Sequence, residues 1–176
     1  RMVKYPYLTS GEATAKQLLV AVFAFLGIAA VMGVVVFAIR GWMILVWALA
    51  ALLIGASYSG GPLKLGFRGL GELVIFVMFG PLMMSGVYYS ITGVLDWKIW
   101  LLSTAVGLLV MNIVYSHSVL DAVPDKKMGK TTMAHLMGGK KGQIALSGFA
   151  NIAPYFIVVT GVALGLLHWA YLAVLL

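Results

Sequence analysis

The chain has no cysteine, and only five of its 176 residues are acidic. The first absence excludes disulfide staples and thiolate metal centres. The second is part of a wider poverty of charge. Charged residues make up 10% of the sequence and hydrophobic ones 62%, whereas about a quarter of a soluble domain is charged. A chain of this composition has too little polar surface to cover its apolar residues in water, so a lipid bilayer is the expected partner and solvent. The net charge of +7 is then topology information, and no nucleic-acid partner is expected. The opening "RMVKYPYLTSGEATAKQ" is polar and lacks the apolar core and cleavage site of a signal peptide. The closing "HWAYLAVLL" stops inside what reads as a new apolar helix. The expectation is a single transmembrane domain over residues 1–176, interior to a longer protein and cut at both ends.

What is present is a series of long apolar runs. Stretches of about 18 or more apolar residues with few charges are candidate membrane helices. Five occur, at 15–39, 42–58, 73–94, 99–119 and 144–167, and a sixth begins at Trp169. The fold class is therefore an all-α polytopic membrane bundle. Pro81 and Pro154 interrupt the third and fifth spans, where neighbouring groups re-satisfy the freed carbonyls and kinks are expected. Gly161 and Gly165 form a GxxxG pair that would permit close helix packing.

Charge is segregated. The N-terminal segment and the long connections 59–72 and 120–143 carry Arg1, Lys4, Lys16, Lys64, Arg68, Lys126, Lys127, Lys130, Lys140 and Lys141. The short connections hold only Arg40 and Lys98. The positive-inside rule puts the long loops in the cytoplasm, which for a bacterial chain means the inner membrane. Four of the five acids, Glu12, Glu72, Asp121 and Asp125, share that face.

The segment "SVLDAVPDKKMGKTT" places Asp121 and Asp125 four apart at the end of the fourth span. If the helix continues, both lie on one face, one turn apart. Pro124 restricts Val123 and suggests a helix end nearby. Carboxylates at a helix C-terminus are disfavoured by about 0.3–1 kcal/mol each, so something positive should compensate. One reading is a solvated loop with local Asp–Lys pairs of little energetic worth. The other is a Mg²⁺ site, in which one or two carboxylates share the ion with substrate phosphates, and Lys126, Lys127 and Lys130 take the remaining phosphate charge. "GKT" at 129–131 is no P-loop, because Pro124 stands where the first glycine is required. His117, four before Asp121, has no second strong nitrogen or sulfur ligand nearby and reads as an interfacial hydrogen-bonded histidine, not a zinc ligand.

In the other long loop, "YSGGPLKLGFRGLGELVIFVMFGPL", Lys64 and Arg68 are four apart among Gly60, Gly61, Gly66, Gly69 and Gly71. The glycines free the backbone for close approach to a ligand, and Glu72 opens the third span, where a helix N-terminus favours a carboxylate. A flexible loop whose cations bind lipid headgroups is one reading; together with the aspartate loop, a polyphosphate site is the other.

"YSGGPLKL", then "GLGELVIFVMFGPLMMSGVYY", then the D-x-x-x-D of "DAVPDKKMGKTTMA" resembles the UbiA-type membrane prenyltransferases, and most of all those acting on 1,4-dihydroxy-2-naphthoate in menaquinone synthesis. "YPYLTSGEAT" resembles the segment after that family's first aspartate motif, so the likeness runs from about Pro6 to Gly138. The resemblance implies a bundle of nine membrane helices capped by cytoplasmic loops, with two Asp-rich motifs that hold Mg²⁺ and an isoprenyl diphosphate. Asp121 and Asp125 match the second motif as catalytic and metal-binding residues. Tyr58 matches the family's catalytic tyrosine, and Lys64 its basic residue. The first motif is absent from this chain. "NIVYSHSVLD" also departs from the menaquinone enzymes, with Val119 and Leu120 before the first Asp instead of Asn-Asn and Arg, which bears on the acceptor. The implied activity is Mg²⁺-dependent transfer of an isoprenyl group from a polyprenyl diphosphate to an aromatic acceptor. Lys64, Arg68, Lys126, Lys127 and Lys130 are then diphosphate ligands, and this piece alone should be inactive. Alternatives are another acceptor of the same family (4-hydroxybenzoate, haem, chlorophyllide or a lipid precursor) or a membrane transporter, which the near absence of charge within the spans disfavours.

Overall fold

The computed structural model describes residues 10–60 and 62–175. Arg1, Lys4, Gly61 and the first half of "YPYLTSGEAT" lie outside them. The described residues form helices α1 (Ala15–Arg40), α2 (Met43–Ser59), α3 (Gly71–Val77), α4 (Met83–Thr92), α5 (Lys98–Leu120), α6 (Ala122–Lys127), α7 (Met133–Leu136) and α8 (Lys140–Ala163). A π-helical segment, Met78–Leu82, joins α3 to α4, and short 3-10 helices cover Leu65–Phe67 and Trp169–Leu175. No strand occurs among the described residues. Four helical runs are long and apolar enough to cross a membrane: α1, the continuous Gly71–Thr92, α5 and α8; α2 is shorter, at 17 residues. They coincide with the five predicted spans. Only the fifth is displaced, to Lys140–Ala163.

The chain divides into two compact units at Ile44/Leu45. In the first, Thr14 and Gln17 start α1 as a reciprocal capping box: Thr14 Oγ1 accepts from Gln17 N–H and Gln17 Oε1 from Thr14 N–H. No residue of α1 is buried, as befits a helix that is apolar on every side.

The second unit is built around α5, which packs against α8, α3 and the π segment. Its buried Ser103, Gly107, Met111 and Tyr115 recur every fourth residue and so lie on one face. Ser103 and Gly107 are its small members, and in lipid such residues bring helix backbones together where a large residue would hold them apart. At its centre a Cβ added to Gly80 would stand 2.5 Å from Ser103 O and 2.8 Å from Gly107 Cα. Leu108, Met111 and Ala150 form the buried core, with Phe76, Ala153 and Ile157 against it. Pro81 lies inside the π segment, whose wider turn accommodates the missing N–H, and Ser85 Oγ donates to the Pro81 carbonyl.

The GxxxG pair is not a helix-packing surface. Gly165 ends α8 with φ +67°, its N–H bonded to Val162 O while Leu166 N–H reaches Gly161 O. This is a Schellman turn, which wants a glycine at the left-handed position. Leu167 folds back over Gly161, within 2.7 Å of where a Cβ would stand. That closure is why the fifth span stops at Ala163 and not at Leu167.

Candidate functional site

The two long loops of the sequence meet. Gly69 N–H donates to Thr131 O at 2.8 Å and Thr131 N–H to Phe67 O at 3.0 Å, one parallel bridge between Arg68 and Thr131. Behind it, Met133 N–H points to Glu72 Oε2 at 3.4 Å. Gly66, Gly69 and Gly71 of the first loop are buried. A Cβ on Gly66 would lie 2.9 Å from the Tyr58 carbonyl and 3.2 Å from its ring, and one on Gly71 would lie 3.3 Å from the same ring. The half-buried Tyr58, near the end of α2, is thus packed on the loop that follows it.

The aspartate segment is nearly continuous helix. α5 stops at Leu120, Asp121 takes φ −91°, ψ 7°, and α6 starts at Ala122. The break precedes Pro124, which sits in the first turn of α6, where its missing N–H is tolerated. Asp125 N–H still bonds Asp121 O at 2.9 Å. The expected helix-end penalty is softened because Asp125 lies in the first turn of α6. Asp125 is buried, at 6% exposure, and its Oδ2 accepts from Lys130 Nζ at 3.0 Å.

A cavity of about 380 Å³ opens between the docked loops, lined by Tyr58, Gly66, Phe67, Asp125, Met128 and Lys130. Three predicted site residues, Tyr58, Asp125 and Lys130, therefore share one wall system. The others stand elsewhere. Lys126 and Lys127 line a second hollow of about 360 Å³ with Ala122, Val123 and His135. Lys64 is exposed in a left-handed conformation, φ 43° and ψ 50°. Arg68 is exposed and donates from Nη2 to Pro62 O at 3.1 Å. Asp121 is half-buried at the α5/α6 junction, outside the cavity lining, and His117 is exposed, its carbonyl accepting the Asp121 N–H.

Sequence reasoning passed over His135. Its Nε2 lies 2.8 Å from Ala122 O and its Nδ1 3.0 Å from Thr132 N. A carbonyl only accepts and a backbone N–H only donates, so Nε2 carries the proton and Nδ1 is bare. The ring thereby ties the residue after Asp121 to the residue after the loop bridge. The signal in the sequence is T-x-x-H, a capping box with histidine in the place of glutamate or glutamine. Phe67 and Met128, which close the cavity, carry no motif.

No group of three or more His, Cys, Asp or Glu side chains able to hold a metal occurs among the described residues. The oxygen donors of Asp121 and Asp125 suit a hard cation that shares its coordination with phosphate and water, not one caged by protein alone.

Residues 4–176 match the UbiA prenyltransferase family. The chain is 31% identical over 163 residues to the 1,4-dihydroxy-2-naphthoate octaprenyltransferase of Bacillus subtilis, covering 90% of this chain and 52% of the relative. It is 29% identical over 136 residues to the 2-carboxy-1,4-naphthoquinone phytyltransferase of Synechocystis (77% and 44%), and 29% identical over 143 residues to the 1,4-dihydroxy-2-naphthoate octaprenyltransferase of Mycobacterium tuberculosis (80% and 48%). The chain spans about half the length of these curated relatives. No solved structure matches it significantly. An all-helical chain with membrane-length spans, a D-x-x-x-D helix end docked on a glycine-rich loop, and a family match over nearly its whole length belongs to the UbiA prenyltransferase family.

Proposed function

We propose that the full-length protein transfers an isoprenyl group from an allylic polyprenyl diphosphate to an aromatic acceptor, 1,4-dihydroxy-2-naphthoate, at the cytoplasmic face of the membrane. The observation that carries this reading is the cavity in which Tyr58, Asp125 and Lys130 meet, joined to the activities for which the relatives are named. Mg²⁺, held by Asp121 and Asp125 together with diphosphate oxygens, would supply Lewis-acid stabilisation of the leaving group.

The remaining work falls to side chains. Lys130 neutralises the buried Asp125 carboxylate in the absence of substrate and is placed to turn to a phosphate oxygen when one arrives. The allylic C–O bond breaks with its electron pair leaving on diphosphate. An acceptor ring carbon forms the new C–C bond and then loses its proton. Tyr58 offers a ring face to the allylic cation and a hydroxyl to the diphosphate. Lys64, held in an unfavourable left-handed conformation beside the site, and Arg68 are positioned on the loop rim to meet phosphate charge. Lys126 and Lys127 line a different hollow and serve the substrate only from outside the cavity.

The test is prenyl transfer by the full-length protein in bilayers, with labelled polyprenyl diphosphate and 1,4-dihydroxy-2-naphthoate, with and without Mg²⁺. Wild-type transfer that disappears on chelation and in Asp125→Ala supports the proposal. Transfer unaffected by Asp125→Ala, or to other acceptors only, overturns it.

A further inference from the structure

The proposed chemistry leaves one buried carboxylate unused. Glu72 is 2% exposed, and its Oε1 has no hydrogen-bond partner among the described residues. A buried carboxylate with an unpaired oxygen is costly. Glu72 lines neither hollow beside the aspartate helix. Its one described hydrogen bond is the 3.4 Å approach of Met133 N–H to Oε2.

That partner explains the position. Residues 131 and 132 run extended into the start of α7, Thr132 at φ −116°, ψ 168°, and in extended chain alternate N–H groups point to the same side. Thr131 N–H faces the first loop and bonds Phe67 O, whereas Thr132 N–H turns away to His135 Nδ1. Met133 N–H therefore faces the first loop again, at the first turn of α7, where no helical carbonyl is available. Gly69 turns the loop away at φ +81°, and the described partner of Met133 N–H is not a loop carbonyl but the Glu72 side chain. A side chain supplies this rung. Gly71, immediately before Glu72, is the glycine against the Tyr58 ring, next to Gly66. The glutamate thus lies between the aspartate loop and the wall that seats Tyr58.

We propose that Glu72 is a positioning residue, a buried latch that draws the start of α3 onto the Thr131–Met133 stretch and thereby sets Tyr58 opposite Asp125 and Lys130. It touches no substrate. Its consequence for turnover rests on the reading of the site as a prenyltransferase centre; its consequence for loop docking does not.

Because the chain has no cysteine, docking is read directly by an Arg68→Cys/Thr131→Cys pair at the parallel bridge, oxidised mildly in bilayers and quantified as cross-linked product. Glu72→Ala should slow cross-linking on the order of tenfold. Glu72→Gln, whose amide oxygen still accepts the Met133 N–H, should cross-link at the parent rate. In the native background, Glu72→Ala should raise KM for the diphosphate and lower kcat/KM by about tenfold to a hundredfold, as displaced catalytic groups do, and Glu72→Gln should restore both. Cross-linking unchanged in Glu72→Ala overturns the latch, and so does Glu72→Gln as impaired as Glu72→Ala, which would assign the effect to charge. If Glu72→Ala fails to insert, Glu72→Asp carries the same test: it keeps the charge but falls short of Met133, so loss of cross-linking supports the latch and full retention sinks it. A protein that cross-links as expected yet transfers no prenyl group, wild type included, strikes the proposed activity alone.

Discussion

Asp125 and Lys130 combine a structural pair and a candidate catalytic pair in the same atoms. The carboxylate is 9% exposed and the ammonium 29%, so the contact is shielded enough to matter, and Lys130 N–H also closes on Asp125 O at 3.0 Å. Asp125→Asn keeps the shape and removes the charge. It should leave the thermal midpoint within a few degrees while transfer falls about a hundredfold or more, the size seen when a preorganised electrostatic group is lost. Asp125→Ala leaves a half-buried ammonium unpaired and should lose about 1–3 kcal/mol of stability as well. A midpoint that drops equally in both variants would show the pair to be structural only. His135 makes the opposite forecast. It joins Ala122 O to Thr132 N–H across the aspartate helix and the docked loop, and Thr132 is 2% exposed. His135→Ala therefore strands a buried donor, and about 1–3 kcal/mol of stability should go with it, read as a lower midpoint on heating in detergent. An unchanged midpoint would mean that water replaces the ring without loss.

Among the elements, α5 comes within backbone reach of both α3 and the π segment at one glycine. A Cβ on Gly107 would stand 2.8 Å from Phe76 O and 3.1 Å from Gly80 Cα. Backbone cannot swing aside as a side chain does, so Gly107→Ala must push the helices apart and should cost about 1–3 kcal/mol as an overpacking change. Gly148, mid-way in α8, has nothing within 4 Å of its would-be Cβ. Gly148→Ala should be neutral or stabilising by about 0.5–1 kcal/mol through helix propensity. Equal losses from both would refute the close-approach account. These two glycines also mark what a sequence displays and what it conceals. Apolar run length alone located five helices, four of them long enough to cross a membrane, because lipid demands about 20 residues to cross it. Which glycine ends a helix and which seats one depends on its neighbours. Gly161 and Gly165 match a packing motif by spacing, and only the backbone shows Gly165 in a left-handed turn. In the site, Asp125 and Tyr58 were legible because their residue types and spacing carry chemistry. Asp121 and Asp125 read as equals, yet Asp125 lines the cavity while Asp121 stands half-buried at the helix junction, a difference that the four-residue spacing does not show. Phe67, Met128 and the His135 strut were invisible, being made by loops that meet only after folding.

In the second unit, charge and fold agree in grouping the two long loops on one side. In the unit beginning at Leu45, the loop bridge requires the end of α2, the start of α3 and the end of α5 to lie together. Since α3–α4 and α5 are each long enough to span a bilayer, the Asp96–Lys98 turn between them is expected on the other side. Lys98 is one of only two basic residues outside the long loops and the N-terminal segment, as the positive-inside rule asks of an external turn. Single cysteines test this in full-length protein carrying no other cysteine; residues 1–176 have none to remove. In intact cells a membrane-impermeant maleimide should label Lys98→Cys and spare Lys140→Cys, which stands at the start of α8. Permeabilisation should expose the second. The reverse pattern would put the cavity outside the cell, away from cytoplasmic diphosphates, and the proposed function would fail with it. Labelling of both positions from outside would instead break the bilayer-crossing assignment of α5, on which the architecture of this unit turns.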